Sequence, residues 1–288
     1  MISVIIPVFN DPEGIRDTLQ SLIDQSGSPN YEIIVVDNDS TDSTPDVIAE
    51  FEEKYPSLVF GYSETDIQSS YAARNTGIDR ASGEILAFID ADVTVENMWV
   101  ANICKKFQSS NVDYLGCNVD IYIPDGEDTI WARYDAAMGL PVEHYLETKQ
   151  FAPTCALAIR REIIEEVGEF DQTLISGGDK EFGTRVHHKG FSMEYAADIV
   201  IQHPARTTLD AHLKKAVRIG EGQVQLWDRY DLATHPFSLL RLLPPSPRRV
   251  KARTQSTQTP IRIYFLSYIL KLVQSISSME QYILKRLK

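Results

Sequence analysis

The sequence predicts an α/β fold built on a parallel sheet, and three observations carry that expectation. Short apolar runs rich in β-branched residues alternate with helix-like segments over the first 90 residues, the rhythm of a βα repeat. The runs are continuous, without polar alternation, as strands covered on both faces should be. Turn and cap residues fall where the periodicity changes. A sheet of the Rossmann type follows.

Taken in order, the first strand is SVIIPVF (3–9), followed by a periodic helical stretch reaching Gln25. EIIVVD (32–37) forms the second strand and 44–55 the second helix, with Ser40, Thr41 and Asp42 ahead of it as cap or turn residues. LVFGY (58–62), a helix over 69–81 and EILAFID (84–90) continue the repeat, with Ser82-Gly83 as the turn before the fourth strand. Beyond residue 110 the pattern becomes mixed, with strands predicted at 114–123, 155–160 and 199–202 and helices at 161–167 and 179–188. One domain is expected over 1–240, in halves 1–110 and 111–240. LPPSPRR (243–249) reads as a hinge, within a 241–288 segment that ends in a helical tail.

The 288 residues carry a formal charge of -13, with 43% hydrophobic and 24% charged side chains. That composition fits an ordinary globular chain and excludes a disordered or collagen-like one. Cys104, Cys117 and Cys155 show no close CxxC spacing, which argues against a disulfide framework or a cysteine-rich zinc site. No basic segment precedes the first apolar run, so no signal peptide is expected, and a cytoplasmic location follows. Charge is uneven. Residues 248–288 hold nine Lys or Arg against one acid, Glu280, a net +8 that leaves -21 for residues 1–247. Such a body repels nucleic acid backbones. In the tail, Arg262 and Lys271 flank only eight uncharged residues, too few to span a bilayer. Apolar residues mixed with cations fit a helix lying peripherally on an anionic membrane surface, and equally one packed on the chain's own body.

Ligands of open α/β sheets collect beyond the carboxyl ends of the strands. Here those ends read Pro7-Val8-Phe9-Asn10-Asp11, Asp37-Asn38-Asp39-Ser40 and Asp90-Ala91-Asp92, and the helix after the third strand carries Ala73-Arg74-Asn75-Thr76-Gly77. Two carboxylates two residues apart can hold a hard divalent cation, which in turn neutralises phosphate oxygens. Aspartate is also favoured in turns for purely local reasons, so the pair alone decides little.

The order SVIIPVFND, IIVVDNDSTD, AARNTG and ILAFIDADV resembles the nucleotide-sugar domain of family 2 glycosyltransferases, the GT-A fold. ALAIRREIIEEVGEFD (156–171) with GGDKEFGTR (177–185) resembles the acceptor-side block of that family, which assigns 1–110 to donor binding and 111–240 to the acceptor half. The resemblance implies inverting transfer of a sugar from a nucleoside diphosphate to a hydroxyl, with Mg2+ or Mn2+ as cofactor. It assigns Asp37 to the nucleobase, with uracil favoured, Pro7 and Val8 to the nucleoside pocket, and Arg74 to the nucleotide and its diphosphate. Asp90 and Asp92 match the DxD pattern, Asp92 as metal ligand and Asp90 nearer the ribose or a metal-bound water. His203 matches a position that some relatives turn toward the metal or diphosphate. Asp179 matches the general base, and Glu181 and Arg185 lie on the acceptor side, positioning acceptor or supporting the helix. The sequence departs from the family at Asn38, Asp39 and Gly178, where an acid, a glycine and a glutamate are common.

A processive polysaccharide synthase would carry QxxRW and membrane spans, whereas the nearest segment here is QLWDRY (225–230). The tail suits a single transfer onto a lipid-linked or surface glycan. A sugar nucleotidyltransferase wants a Gly- and Lys/Arg-rich loop after the first strand, and PVFNDPEG is acidic there. A dinucleotide oxidoreductase wants GxGxxG. A non-catalytic nucleotide-sugar or glycan-binding protein of the same fold is the remaining rival.

Overall fold

The computed structural model describes residues 1–27, 29–254 and 259–287. Over the first 90 residues its elements begin within about a residue of where the apolar runs predict them, whereas the strand expected at 199–202 begins at Met193 and the one expected at 155–160 begins at Leu157. β1 (Ile2–Val8), α1 (Pro12–Ile23), β2 (Tyr31–Asp37), α2 (Thr44–Lys54), β3 (Val59–Ser63), α3 (Ser70–Arg80) and β4 (Ile85–Phe88) form the first repeats. β5 (Thr94–Val95), α4 (Trp99–Ser109), β6 (Tyr114–Tyr122), α5 (Ile130–Met138), α6 (Val142–Lys149), β7 (Leu157–Arg160) and α7 (Arg161–Val167) follow. α8 (Gly178–Lys189), β8 (Met193–Pro204), α9 (Leu209–Tyr230), α10 (Pro247–Arg253) and α11 (Pro260–Leu287) complete the chain.

The strands make one sheet in the order β3-β2-β1-β4-β7-β6-β8-β5. β3, β2, β1 and β4 run parallel, and their residues Val4, Ile5, Ile33, Val35, Leu86 and Phe88 are fully buried. The other half departs from the parallel pattern: β7 is antiparallel to β4, β6 to β7, and β5 to β8. The strand order reverses direction between β1 and β4, which is where a ligand crevice is expected in such sheets. Pro7 lies beyond the last β1–β4 pair, Ile5 with Phe88, so its missing N–H removes no bond from that ladder.

Local chemistry fixes the loops at this edge. Asp11 caps α1 by accepting from the Gly14 N–H at 3.0 Å, with Pro12 opening the helix. Ser40 and Thr41 do not cap α2. The Asn10 N–H donates to Ser40 Oγ and the Thr41 N–H donates to Asn10 Oδ1, each at 2.8 Å, which ties the loop after β1 to the loop after β2. Asn10 and Asp39 both adopt positive φ, 50° and 65°, a conformation that Asn and Asp tolerate better than other non-glycine residues.

Contacts divide the chain into two units, one of Met1–Asp120, Pro141–Thr173 and Gly178–His203, the other of Ile121–Leu140, Leu174–Gly177 and Pro204–Lys288. Within the second unit α11 packs along α9 and reaches α5 and α10. Residues 121–140 and 204–240 thus share a unit with the tail. Gln255, Ser256, Thr257, Gln258 and Lys288 of the predicted basic tail lie outside the described residues.

Candidate active site

The parallel register brings the ends of β1 and β2 side by side, with Val8 opposite Asp37 and Pro7 opposite Val36. Asp37 is 7% exposed. Its Oδ2 accepts from the Ser40 N–H at 3.2 Å, while its Oδ1 is buried with no hydrogen-bond partner among the described residues. A buried carboxylate oxygen left without a donor is costly, about 1–3 kcal/mol or more, unless a ligand supplies one. Asn38 holds this loop from beneath, its Nδ2 donating to the carbonyls of Glu64 and Ile67, both at 2.9 Å.

Asp90 and Asp92 follow β4, the strand beside β1 on its other edge. His203 stands near the end of β8, buried, with its Nε2 3.9 Å from Asp92 Oδ2. One ligand atom from each of Asp90, Asp92 and His203 lies within 4.8 Å of the others. Three ligands of one small divalent cation, each about 2.1 Å from it, stand roughly 3.0–3.6 Å apart with at most one pair farther, so the three side chains would have to draw together by about an ångström. Two carboxylates with an imidazole make a suitable donor set.

Arg74 is not the solvated surface arginine that an isolated reading allows: it is 3% exposed. Its Nη2 donates to Asp90 Oδ1 at 2.5 Å and its Nη1 to the Ser70 carbonyl at 3.1 Å. The guanidinium thus fixes one oxygen of Asp90 and the orientation of the other.

Asp179 belongs to α8, which begins at Gly178, so it lies in the first turn of that helix. Its Oδ1 accepts from the Lys180 N–H at 2.9 Å. An ionised carboxylate there gains from the partial positive charge of the helix N-terminus. Burial pulls the Lys180 ammonium pKa down, against the opposing effect of Asp179.

Tyr71 joins this helix start to the acids. Its hydroxyl accepts from the Gly178 N–H at 2.9 Å, and its ring lies under the Arg74 guanidinium, 5.9 Å from ring centroid to Cζ. Asn75, one residue past Arg74, pairs with Phe170 in both directions, donating to its carbonyl at 2.9 Å and accepting from its N–H at 3.1 Å. One helix, α3, therefore braces Asp90 through Arg74 and Asp179 through Tyr71. The buried Cys155 thiol reports the same convergence. Its pKa is pushed well above the usual value by burial first and then by Asp90, Asp179 and Asp92, with Arg74 pulling the other way.

Glu181 and Arg185 face each other and the backbone. The guanidinium meets the buried Glu181 carboxylate at 2.7 and 3.0 Å. It also donates to the carbonyls of Val167, Gly168 and Glu169. Through these bonds Arg185 ties α8 to the C-terminal end of α7 and the turn beyond it.

Sequence reasoning passed over Tyr71, and the signal that could have found it is Gly178. A Cβ built on Gly178 would stand 2.7 Å from the Tyr71 ring. The glutamate common in the family has no room here. Gly178→Ala is expected to lose about 1–3 kcal/mol of stability by overpacking, with Gly178→Glu losing more. Urea denaturation checks this, and unchanged midpoints in both variants would contradict the contact.

A Rossmann-like parallel half, an antiparallel extension and acids gathered at the strand ends define the GT-A fold. The family described as Glycosyl transferase family 2 matches residues 3–168. The chain is 35% identical over 287 residues to Glycosyltransferase AglE of Haloferax volcanii, covering 95% of this chain and 93% of that protein. In structure it is similar to the mannosyltransferase PcManGT of Pyrobaculum calidifontis, solved with GDP-Man and Mn2+, at a TM-score of 0.70 and 19% identity, covering 98% and 86% of the two chains. It is also similar to S. aureus TarS 1-349 in complex with UDP-GlcNAc, at a TM-score of 0.56 and 16% identity, covering 96% and 89%. The chain belongs to glycosyltransferase family 2.

Proposed function

We propose that the chain transfers a sugar from a nucleoside diphosphate donor, a UDP-sugar favoured, to an acceptor hydroxyl with inversion at the anomeric carbon. The observation that carries this reading is the Asp90, Asp92 and His203 cluster at the end of β4, braced through Arg74 and Tyr71 to the helix that holds Asp179.

In this reading Asp90, Asp92 and His203 would hold Mn2+ or Mg2+, with the imidazole favouring Mn2+ over the oxygen-seeking Mg2+. A cation held there would supply positive charge to the departing diphosphate without waiting for a proton. Asp37 accepts a nucleobase N–H at its unpartnered oxygen, and Pro7 and Val8 line the nucleoside pocket. Arg74 acts on the donor through Asp90, holding that carboxylate in its orientation. Asp179 takes the acceptor hydroxyl's proton from the face opposite the leaving group, as an inverting displacement requires. Glu181 and Arg185 serve the acceptor side by fixing α8. The acceptor is a lipid-linked or surface glycan, a reading motivated by the basic, apolar tail. The three free thiols, Cys104, Cys117 and Cys155, fit a cytoplasmic location.

The test is hydrolysis of a panel of UDP-, GDP- and dTDP-sugars with Mn2+ or Mg2+ and no acceptor. Slow, cation-dependent release of UDP from one UDP-sugar, faster with Mn2+, is expected. A folded protein that neither binds nor cleaves any of these donors with either cation would overturn the proposal.

A further inference from the structure

We propose that the outer face of α11, together with the leucines of the 239–243 segment, docks on the surface of an anionic lipid bilayer, with the helix lying in the plane of the interface. The inference rests on the second unit's own surface and holds whether or not the catalytic reading does.

α11 is amphipathic in the reverse of the sense that water imposes. A helix on a water-exposed surface turns its apolar stripe inward and its polar residues out. Here the buried positions are Ile263 and Leu270 with four serines, Ser267, Ser275, Ser277 and Ser278, so most of the inward face is polar. Ser277 Oγ donates to the Val217 carbonyl at 3.1 Å and Ser278 Oγ to the Gly220 carbonyl at 2.7 Å, both on α9. The two backbones approach so closely that a Cβ on Gly220 would stand 2.5 Å from the Gln274 carbonyl oxygen. Close approach through small residues, with hydroxyls satisfied by the neighbouring helix, is how helices pack where apolar side chains are needed on the outside.

The outside is apolar. Ile261, Phe265, Ile269, Ile276, Ile283 and Leu287 are exposed, Phe265 by 58% and Ile261 by 72%. At 3.6 residues per turn these six positions fall within an arc of about 80°. Beside them Leu239, Leu240 and Leu243 are exposed, Leu240 by 68%. Their segment is pinned along α11 by Tyr268, whose hydroxyl donates to the Leu242 carbonyl at 2.9 Å, and by Lys271 Nζ, which donates to the Leu243 carbonyl at 2.6 Å. An apolar face of this extent on a monomer marks a contact surface.

Charge selects the occupant. Residues 248–288 carry +8 against -21 for the rest of the chain. Arg248, Lys251, Arg262 and Arg286 are exposed, and at 3.6 residues per turn Arg262 and Arg286, with Glu280, border the apolar arc of α11. Anionic headgroups attract this region and repel the remainder, which orients the chain. A second copy docking face to face would instead bring two basic tails together. Among the described residues no helix is long and apolar enough to cross a membrane. α11 spans about 42 Å at 1.5 Å per residue, and Arg262, Lys271 and Glu280 interrupt it, which suits an interfacial helix.

The test is flotation of the full chain with phosphatidylglycerol-containing vesicles and with phosphatidylcholine vesicles. Binding to the anionic vesicles, weakened by salt, is expected. Phe265→Glu combined with Ile269→Glu should lower the bound fraction about 10-fold or more, since two apolar side chains no longer enter the interface. Leu240→Glu with Leu243→Glu, which leaves α11 intact, should lower it in the same direction, with circular dichroism and thermal midpoint unchanged in whichever pair is scored. Absence of anionic vesicle binding, or equal binding by a folded variant, overturns the proposal. A dimer seen by light scattering that Phe265→Glu splits, without vesicle binding, assigns the face to a second copy and equally overturns it.

Discussion

Asp179→Asn is expected to lower turnover about 10²- to 10⁴-fold, the usual range for loss of a general base, while nucleoside diphosphate affinity stays within a few fold. Asparagine has the shape of aspartate and can still accept from the Lys180 N–H, so the first turn of α8 should keep its geometry. What is lost is the capacity to take a proton. The braces of the site lie elsewhere: Gly178 is held by Tyr71, and Glu181 by Arg185. A structural effect would reduce UDP binding and turnover together, whereas loss of the base reduces turnover alone. Steady-state kinetics paired with UDP titration separates the two. Near-normal turnover in the variant would remove Asp179 from the base role.

The acidic edge of the candidate site is legible in the sequence because its chemistry is local. Asp37, Asp90 and Asp92 each close an apolar run, and parallel strands place their carboxyl ends on one edge without further information. α7 begins and ends where its pattern predicts, at 161 and 167. The antiparallel half was not legible, since pairing direction depends on which strands meet and not on the composition of any one of them. α9 was missed for another reason. Its inward positions His212, Ala216, Gly220 and Val224 keep helical spacing, but three of them are small or polar and make no apolar run. Gly178 looked like an erosion of the base motif. Its cause is the ring of Tyr71, 107 residues earlier, so the glycine marks a close approach without naming the partner. The sequence puts Arg74 on α3, yet whether it faces solvent or Asp90 is decided by burial alone.

The larger expected effect on binding belongs to Asp92. Its Oδ2 approaches His203, and with Asp90 it supplies the second carboxylate of the cluster. Truncation leaves one carboxylate already committed to Arg74 and one imidazole, a set too weak to hold a hard cation against water. Substitution of residues that merely support a metal ligand lowers metal affinity about 10- to 100-fold, and removal of a ligand itself should do at least as much. The measurement that tests the account most directly is calorimetric titration of UDP, with and without Mn2+, into the wild-type chain and Asp92→Ala. Affinity raised by Mn2+ in the wild type and indifferent to Mn2+ in the variant is the predicted result. An equal gain from Mn2+ in both proteins would mean that the diphosphate is held somewhere other than at Asp90, Asp92 and His203.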